Sequence, residues 1–146
     1  RDAIVAAVRT GFRGVVVCNA HLEPANIAAL KDAVAEAEGQ GARAAFPDVT
    51  RKPHALRLGE EFRSGACHAG RYEGSLVMAA DPFLVRREPN PASLSEAIRA
   101  GKSTFREAGG ERAYFGWPAD ATDAEGDELY EILADIFTTA ALELLR

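Results

Sequence analysis

Cysteine is scarce in this chain, which has two among its 146 residues, Cys18 and Cys67. Disulfide frameworks belong to small secreted domains that are rich in cysteine. Cys18 also ends the apolar run at residues 15–17, which is typical of a buried strand. We therefore expect both cysteines to be reduced thiols and not partners in a disulfide.

Long apolar runs and basic stripes are missing as well. The apolar stretches fall well short of the roughly 20 residues that cross a bilayer, and we see no signal-peptide pattern in the first residues. The 17 Lys and Arg side chains are outnumbered by 22 Asp and Glu, which gives a net charge of −5 with histidine neutral. Neither a membrane nor a nucleic acid is therefore expected as a partner, and we predict a cytoplasmic location.

The residues that are present suit one folded domain over residues 1–146, because 47% of them are hydrophobic. Apolar residues at helical spacing alternate with short apolar runs. This order predicts an α/β fold with a mainly parallel, doubly wound sheet. The predicted elements in the first part are a helix at 4–12, a strand at 15–18, a helix at 27–37 and a strand at 42–46.

Later segments continue the alternation. Residues 48–66 are polar and contain Pro53, which predicts a surface excursion. Thr122 and Glu125 form a capping-box pattern that predicts the start of a long terminal helix. The apolar helix positions that we expect to be buried are Tyr72, Leu76, Val77 and Ala80 in a helix from about Gly70, and Leu129, Ile132, Leu133, Ile136, Phe137 and Ala140 in the terminal helix.

The first predicted helix leads directly into a parallel strand, and such a helix normally follows an earlier strand. We find no earlier strand in the sequence before residue 4. We therefore expect a strand to precede this helix in the native protein.

Two polar clusters, at residues 19–24 and 68–75, carry the candidate chemistry. The first follows a predicted strand, and the carboxyl ends of parallel strands line the crevice where such sheets bind ligands. Together the clusters offer two imidazoles, from His21 and His68, and two carboxylates, from Glu23 and Glu73. These groups suit a divalent metal and the water that it activates.

Each of these residues also has a purely structural interpretation. Asn19 and His21 could satisfy N–H groups at the start of the next helix. His68 could be a helix N-cap and Glu73 a solvated helix residue. We expect His54 to be an exposed loop residue. Trp117 is expected to serve in packing or in a subunit contact, and the alternative is that it binds a planar ring of a ligand.

Several motifs resemble those of the creatininase (creatinine amidohydrolase) family. Residues 68–78, followed by Asp81-Pro82, are similar to the family's His-Ala-Gly-x-x-Glu-Thr-Ser segment. Residues 12–21 resemble its strand that ends in Asn-Gly-His, and residues 113–126 resemble its later Gly-x-Pro and Ala-Thr segments. The resemblance runs in order along nearly the whole chain.

This resemblance implies a metal-dependent amidohydrolase with a three-layer α/β/α fold, a binuclear zinc or manganese centre and a hexameric assembly. By the family's pattern His21 and Glu23 would each bind one metal, and His68 would be the catalytic residue that passes a proton to the leaving amide nitrogen. Glu73 would lie near the metal-activated water or act as a ligand. Metal binding lowers the pKa of water from about 15.7 towards about 7, and an imidazole with a pKa near 6.5 is a suitable proton carrier. The expected substrate is a small amide, cyclic amides included.

Departures from the family pattern limit what the resemblance implies. Cys67 replaces an acidic residue, Gly74 replaces threonine and Ala20 replaces glycine, which argues against creatinine as the substrate. We also find no match to the family's Glu-x-His-Gly-x-His segment and the aspartate after it, which supply the remaining metal ligands. Together with the missing strand, this leads us to expect that the native gene encodes roughly a hundred further residues before Arg1. The chain is then a fragment of an enzyme, a subunit completed by another chain, or a catalytically inactive oligomeric α/β domain that keeps a ligand cleft.

Overall fold

The structure is a computed structural model that describes residues 1–64, 68–86, 88–91, 94–102, 104 and 106–146. Its helices are α1 (Asp2–Arg9), α2 (Pro24–Glu38), α3 (Gly59–Ser64), α4 (Arg71–Ala80), α5 (Leu94–Arg99) and α6 (Asp123–Leu144). Its strands are β1 (Val15–Val16) and β2 (Ala44–Ala45), and short 3-10 turns lie at Ala55–Arg57, Pro82–Leu84 and Pro118–Asp120. The chain divides into two compact units, Arg1–His54 with Leu133–Arg146, and Ala55–Ile132.

The first unit contains a β-α-β arrangement. β1 and β2 pair in parallel, with Val15 opposite Ala44 and Val16 opposite Ala45. The N–H of Val17 extends the ladder by donating to the carbonyl oxygen of Ala45 at 2.8 Å. Parallel neighbours need a crossover connection, which α2 provides. The chain is thus a mixed structure of helices and a small parallel sheet, compatible with the predicted α/β class.

The core of the first unit forms where α1 and α2 cover these strands. Because apolar residues recur at helical spacing on both helices, each presents one apolar face. The buried members are Ile4, Val34, Ala37, Ala42 and Ala44, against which Val5, Val8, Val15, Val17 and Phe46 pack. The predicted apolar faces of the first two helices are therefore the buried ones, except at Phe12.

Two predictions for the first unit are wrong. The periodicity placed Phe12 on the buried face of the first helix, but that helix ends at Arg9 and Gly11 follows with a φ of +105°. Phe12 therefore lies beyond the helix and is 65% exposed. Cys18 was expected to end a buried strand, but it lies one residue beyond the ladder and is exposed. Cys67 lies outside the described residues.

The expected surface excursion at residues 48–66 is only partly correct: residues 50–53, 56 and 57 are exposed, but the segment also buries apolar side chains. Leu58 and Phe62 in this segment are 1% and 7% exposed. Leu58 lies between the turn at Ala55–Arg57 and α3, and Phe62 lies within α3, so this segment buries two apolar side chains despite its polar composition. The Phe62 ring packs edge-on against Tyr72, with 4.6 Å between ring centroids.

The helix face predicted for α4 is only partly correct. Tyr72 is buried as expected, but its companion is Ser75, which is fully buried, whereas Val77 is 40% exposed and Ala80 is exposed. Ser75 is buried because its hydroxyl has partners: it donates to Glu125 Oε2 at 3.2 Å and accepts the Thr122 N–H at 3.1 Å. A polar residue can occupy a core position when both its hydrogen-bonding functions are satisfied.

The start of α6 realises half of the predicted capping box. The N–H of Glu125 donates to Thr122 Oγ1 at 3.2 Å, as the pattern requires. The Glu125 carboxylate does not return the bond, because it pairs with Arg71 instead. Further along α6, Leu129 and Ile136 are buried and the other predicted face positions are half-buried. Among the described residues, we find no helix with the length and apolar character needed to span a bilayer.

Candidate functional site

The candidate metal-binding loop follows β1 in the first unit, and a network of amide side chains holds it. Asn19 Nδ2 donates to the His21 carbonyl oxygen at 2.7 Å, and the His21 N–H returns to Asn19 Oδ1 at 3.2 Å. From α2, Asn26 Nδ2 donates to Asn19 Oδ1 at 3.1 Å and to the His21 carbonyl oxygen at 2.8 Å. The backbone at His21 is therefore fixed, while the residue itself is exposed.

Glu23 caps the helix that follows this loop. It is the N-cap residue of α2, and its Oε2 accepts the N–H of Asn26 at 3.1 Å. The capping role expected for Asn19 or His21 under the structural interpretation is thus performed by Glu23. The bond engages one carboxylate oxygen and leaves the other, Oε1, outside this cap.

The donor chemistry of His21 and Glu23 fits a divalent metal. Imidazole nitrogen and carboxylate oxygen are donors that zinc and manganese accept. A catalytic zinc site uses three protein ligands, however. In the part of the chain that the structure describes, no group of three or more His, Cys, Asp or Glu side chains is placed to hold a metal. His21 and Glu23 alone would therefore be a partial ligand set.

The second candidate cluster, in the other unit, begins at His68. The backbone of His68 pairs with that of Phe115 in an antiparallel bridge, with N···O distances of 3.2 and 2.7 Å. Ala69 follows with a φ of +49°, and its N–H donates to a carboxylate oxygen of Glu73. Glu73 is half-buried, so it is not the solvated helix residue of the structural interpretation. It stabilises the turn next to His68.

Glu61 accepts the first N–H groups of α4, a role that we did not predict from the sequence. Arg71 N–H donates to Glu61 Oε1 and Tyr72 N–H to Glu61 Oε2, both at 2.8 Å. Glu61, not His68, thus caps this helix. The sequence offers no local signal for this role, because the Arg71 and Tyr72 N–H groups lie ten and eleven residues further along the chain. Asn26, also missed, lies in the first turn of α2, and no sequence pattern indicates its role.

An ion pair connects α4 with the start of α6. Arg71 Nε lies 2.5 Å from Glu125 Oε2, and the same oxygen accepts the Ser75 hydroxyl. The hydrogen bond that Arg71 donates to Glu125 raises the pKa of the Arg71 guanidinium, which therefore stays charged. The ion pair fixes the orientation of a cation that lies three residues after His68.

The four predicted site residues thus form two pairs, and the members of each pair are close in sequence. His21 and Glu23 lie on one loop of the first unit, and His68 and Glu73 on one turn of the second. His54 is half-buried, whereas we expected an exposed loop residue. Trp117 is half-buried, and its backbone N–H donates to Glu61.

These features define a mixed α/β protein in which imidazole and carboxylate side chains are held in ordered loops next to a strand and a helix. The family model of creatininase, described as creatinine amidohydrolase, matches residues 1–141 of the 146. The chain therefore belongs to the creatininase family, as its motifs predicted. Membership suggests a metal-dependent amidohydrolase. No curated protein and no solved structure matches the chain significantly.

Proposed function

We propose that this chain belongs to a metal-dependent amidohydrolase that cleaves a small amide, cyclic amides included. The observation that carries the proposal is the family match over residues 1–141. Zinc or manganese, in a binuclear centre, is the proposed metal, and a homo-oligomer, a hexamer by family resemblance, is the proposed assembly. The proposed complete fold extends the β1-α2-β2 arrangement into a three-layer, doubly wound sheet.

His21 and Glu23 are the proposed metal ligands. The hydrogen bonds from Asn19 and Asn26 support this role, because they hold the loop that carries both side chains in one conformation, and supporting hydrogen bonds orient metal ligands. A divalent metal in such an enzyme polarises the amide carbonyl and lowers the pKa of a bound water. The further ligands that a complete site requires are not among the residues that we assign.

His68 is the proposed general acid. The amine that departs from an amide is a poor leaving group, so its nitrogen needs a proton as the C–N bond breaks. The backbone bridge to Phe115 holds His68 in place, and the exposure of this residue leaves it accessible to a substrate. Glu73 holds the adjacent turn through the Ala69 N–H and is proposed to keep His68 oriented.

The alternative is a catalytically inactive domain of the same family that keeps a ligand cleft. One observation favours it: the described residues contain no group of three or more metal-binding side chains placed to hold an ion. The alternative predicts no amide hydrolysis by the protein encoded by the complete gene.

The test compares His68→Ala with Glu23→Gln in the protein encoded by the complete gene, using a panel of small lactams. His68→Ala should lower turnover by roughly 10²- to 10⁴-fold, the usual effect of losing an acid–base group, and leave the metal content unchanged. Glu23→Gln should lose metal and activity together. Glutamine keeps an oxygen for the α2 cap, so the variant removes a ligand charge without removing the cap.

His54→Ala is the matched control, because it removes an imidazole outside both candidate pairs. It should retain metal and turnover. Loss of metal in His68→Ala would make His68 a ligand and not the acid. Unchanged turnover in that variant would reject the catalytic role, and absence of activity in the wild-type protein would favour the inactive domain.

A further inference from the structure

A buried carboxylate in the second unit connects the two segments that flank the candidate catalytic histidine. Glu61, on α3, is 3% exposed. It accepts three backbone N–H groups, from Arg71 and Tyr72 at 2.8 Å and from Trp117. Burying a carboxylate is costly unless it is hydrogen-bonded. Three backbone N–H donors from two separate segments of the chain offset that cost for Glu61.

The two segments contact each other directly as well. The backbone bridge joins His68 to Phe115, two residues before Trp117. Gly70 makes the close packing possible: a Cβ there would lie 2.8 Å from the Phe115 carbonyl oxygen and 2.9 Å from Glu61 Cδ. Both distances are shorter than real Cβ atoms show. Glu61 therefore fills the space beside Gly70 and holds both sides of the bridge.

We propose that Glu61 is a positioning residue that keeps the His68 turn and the Trp117 segment in one fixed arrangement. Its effect on His68 as a proton donor rests on the proposed function, whereas its link between the two segments does not. The carboxylate form is required because each of its oxygens accepts an N–H. An amide at this position offers one acceptor oxygen and turns a donor towards the other N–H.

The test compares Glu61→Gln with Glu60→Gln, which removes the same charge from the exposed neighbour on the same helix. Amide hydrogen exchange is measured for Arg71, Tyr72 and Trp117. Trp117 is also the single tryptophan of the chain, so its fluorescence reports on this segment. One Glu61 oxygen accepts the Arg71 and Trp117 N–H groups, and the other accepts that of Tyr72. Glu61→Gln should therefore lower the protection of the Arg71 and Trp117 amides, or of the Tyr72 amide, by about tenfold or more and shift the Trp117 emission. Glu60→Gln should do neither.

An equal loss of protection at all amides would mean global destabilisation and would overturn the positioning role, as would unchanged protection at all three. If Glu61→Gln does not fold, Glu61→Asp keeps the charge but is one methylene shorter. It should selectively weaken protection on one of the two segments, and full protection on both would again overturn the proposal.

The kinetic test separates this inference from the proposed function. In the active protein, Glu61→Gln should lower turnover by about tenfold with unchanged metal content and KM, and Glu60→Gln should not. A local loss of protection with unchanged turnover would restrict Glu61 to a structural role and overturn its positioning of His68. If the wild-type protein has no amidase activity, the proposed function fails, while exchange and fluorescence still decide whether Glu61 links the segments.

Discussion

At the scale of single residues, Asp48 is the buried carboxylate of the first unit. It is 7% exposed, and Lys31 Nζ lies 2.6 Å from its Oδ2. Its Oδ1 accepts the N–H and hydroxyl of Thr50 at 3.0 and 2.6 Å. Burial alone would raise the pKa of Asp48, but the hydrogen bonds from Lys31 and Thr50 outweigh it and hold the pKa below its usual value. The charged form therefore stabilises the fold.

Asp48→Asn should lower the free energy of unfolding by about 1–3 kcal/mol at about pH 7, because its amide would face the Lys31 ammonium. A depressed carboxyl pKa stabilises the fold above the unfolded-state value near 3.9, and this stability is lost as the pH falls through the folded-state pKa. The difference between wild type and variant should thus shrink towards about pH 3.

Urea unfolding at the two pH values measures this difference, with the exposed Asp32→Asn on α2 as the control. The control should change stability by less than about 0.5 kcal/mol. An Asp48→Asn effect that is equally large at both pH values would show that charge is not its source.

At the scale of elements, the packing of α6 on α4 depends on a glycine. A Cβ at Gly126 would lie 2.6 Å from the carbonyl carbon of Ser75 and 2.7 Å from Ala79 Cβ. The backbones of the two helices therefore approach closely at this point. The hydrogen bonds of the Ser75 hydroxyl to Glu125 and Thr122 depend on the same approach.

Gly126→Ala should destabilise the protein by about 1–3 kcal/mol through steric overlap. Alanine favours a helix over glycine by about 1 kcal/mol, so propensity alone predicts the opposite sign. The control is Gly39→Ala at the end of α2, where φ is −60° and a Cβ would lie 3.5 Å from its nearest neighbours. It should be neutral or stabilising. The unfolding temperatures of both variants and of the wild type measure these changes. A Gly126→Ala protein as stable as wild type would contradict the close packing of α6 on α4.

The elements also show how far the sequence could predict the fold. Periodicity predicted α1, α2 and α6 because each buries one apolar stripe. It failed at α3, where a six-residue helix is too short for a clear period. It failed at Ser75 because the partners that permit its burial, Thr122 and Glu125, are about fifty residues away. Local patterns cannot predict such long-range hydrogen bonds.

At the scale of the whole molecule, two sequence clusters carry the candidate chemistry, and the match over residues 1–141 assigns the family. The motifs around His21 and His68 were recognisable because they are contiguous in sequence. Glu61 was not, because its role comes from N–H groups at Arg71 and Trp117 that only the folded chain brings together.

The most direct test of the account is a zinc or manganese titration of this chain, followed by calorimetry, on wild type, His21→Ala and His54→Ala. Two protein donors leave most coordination positions to water, so wild-type binding should be weak. It should disappear in His21→Ala and remain in His54→Ala. Tight stoichiometric binding that survives His21→Ala would contradict the assignment of the metal ligands.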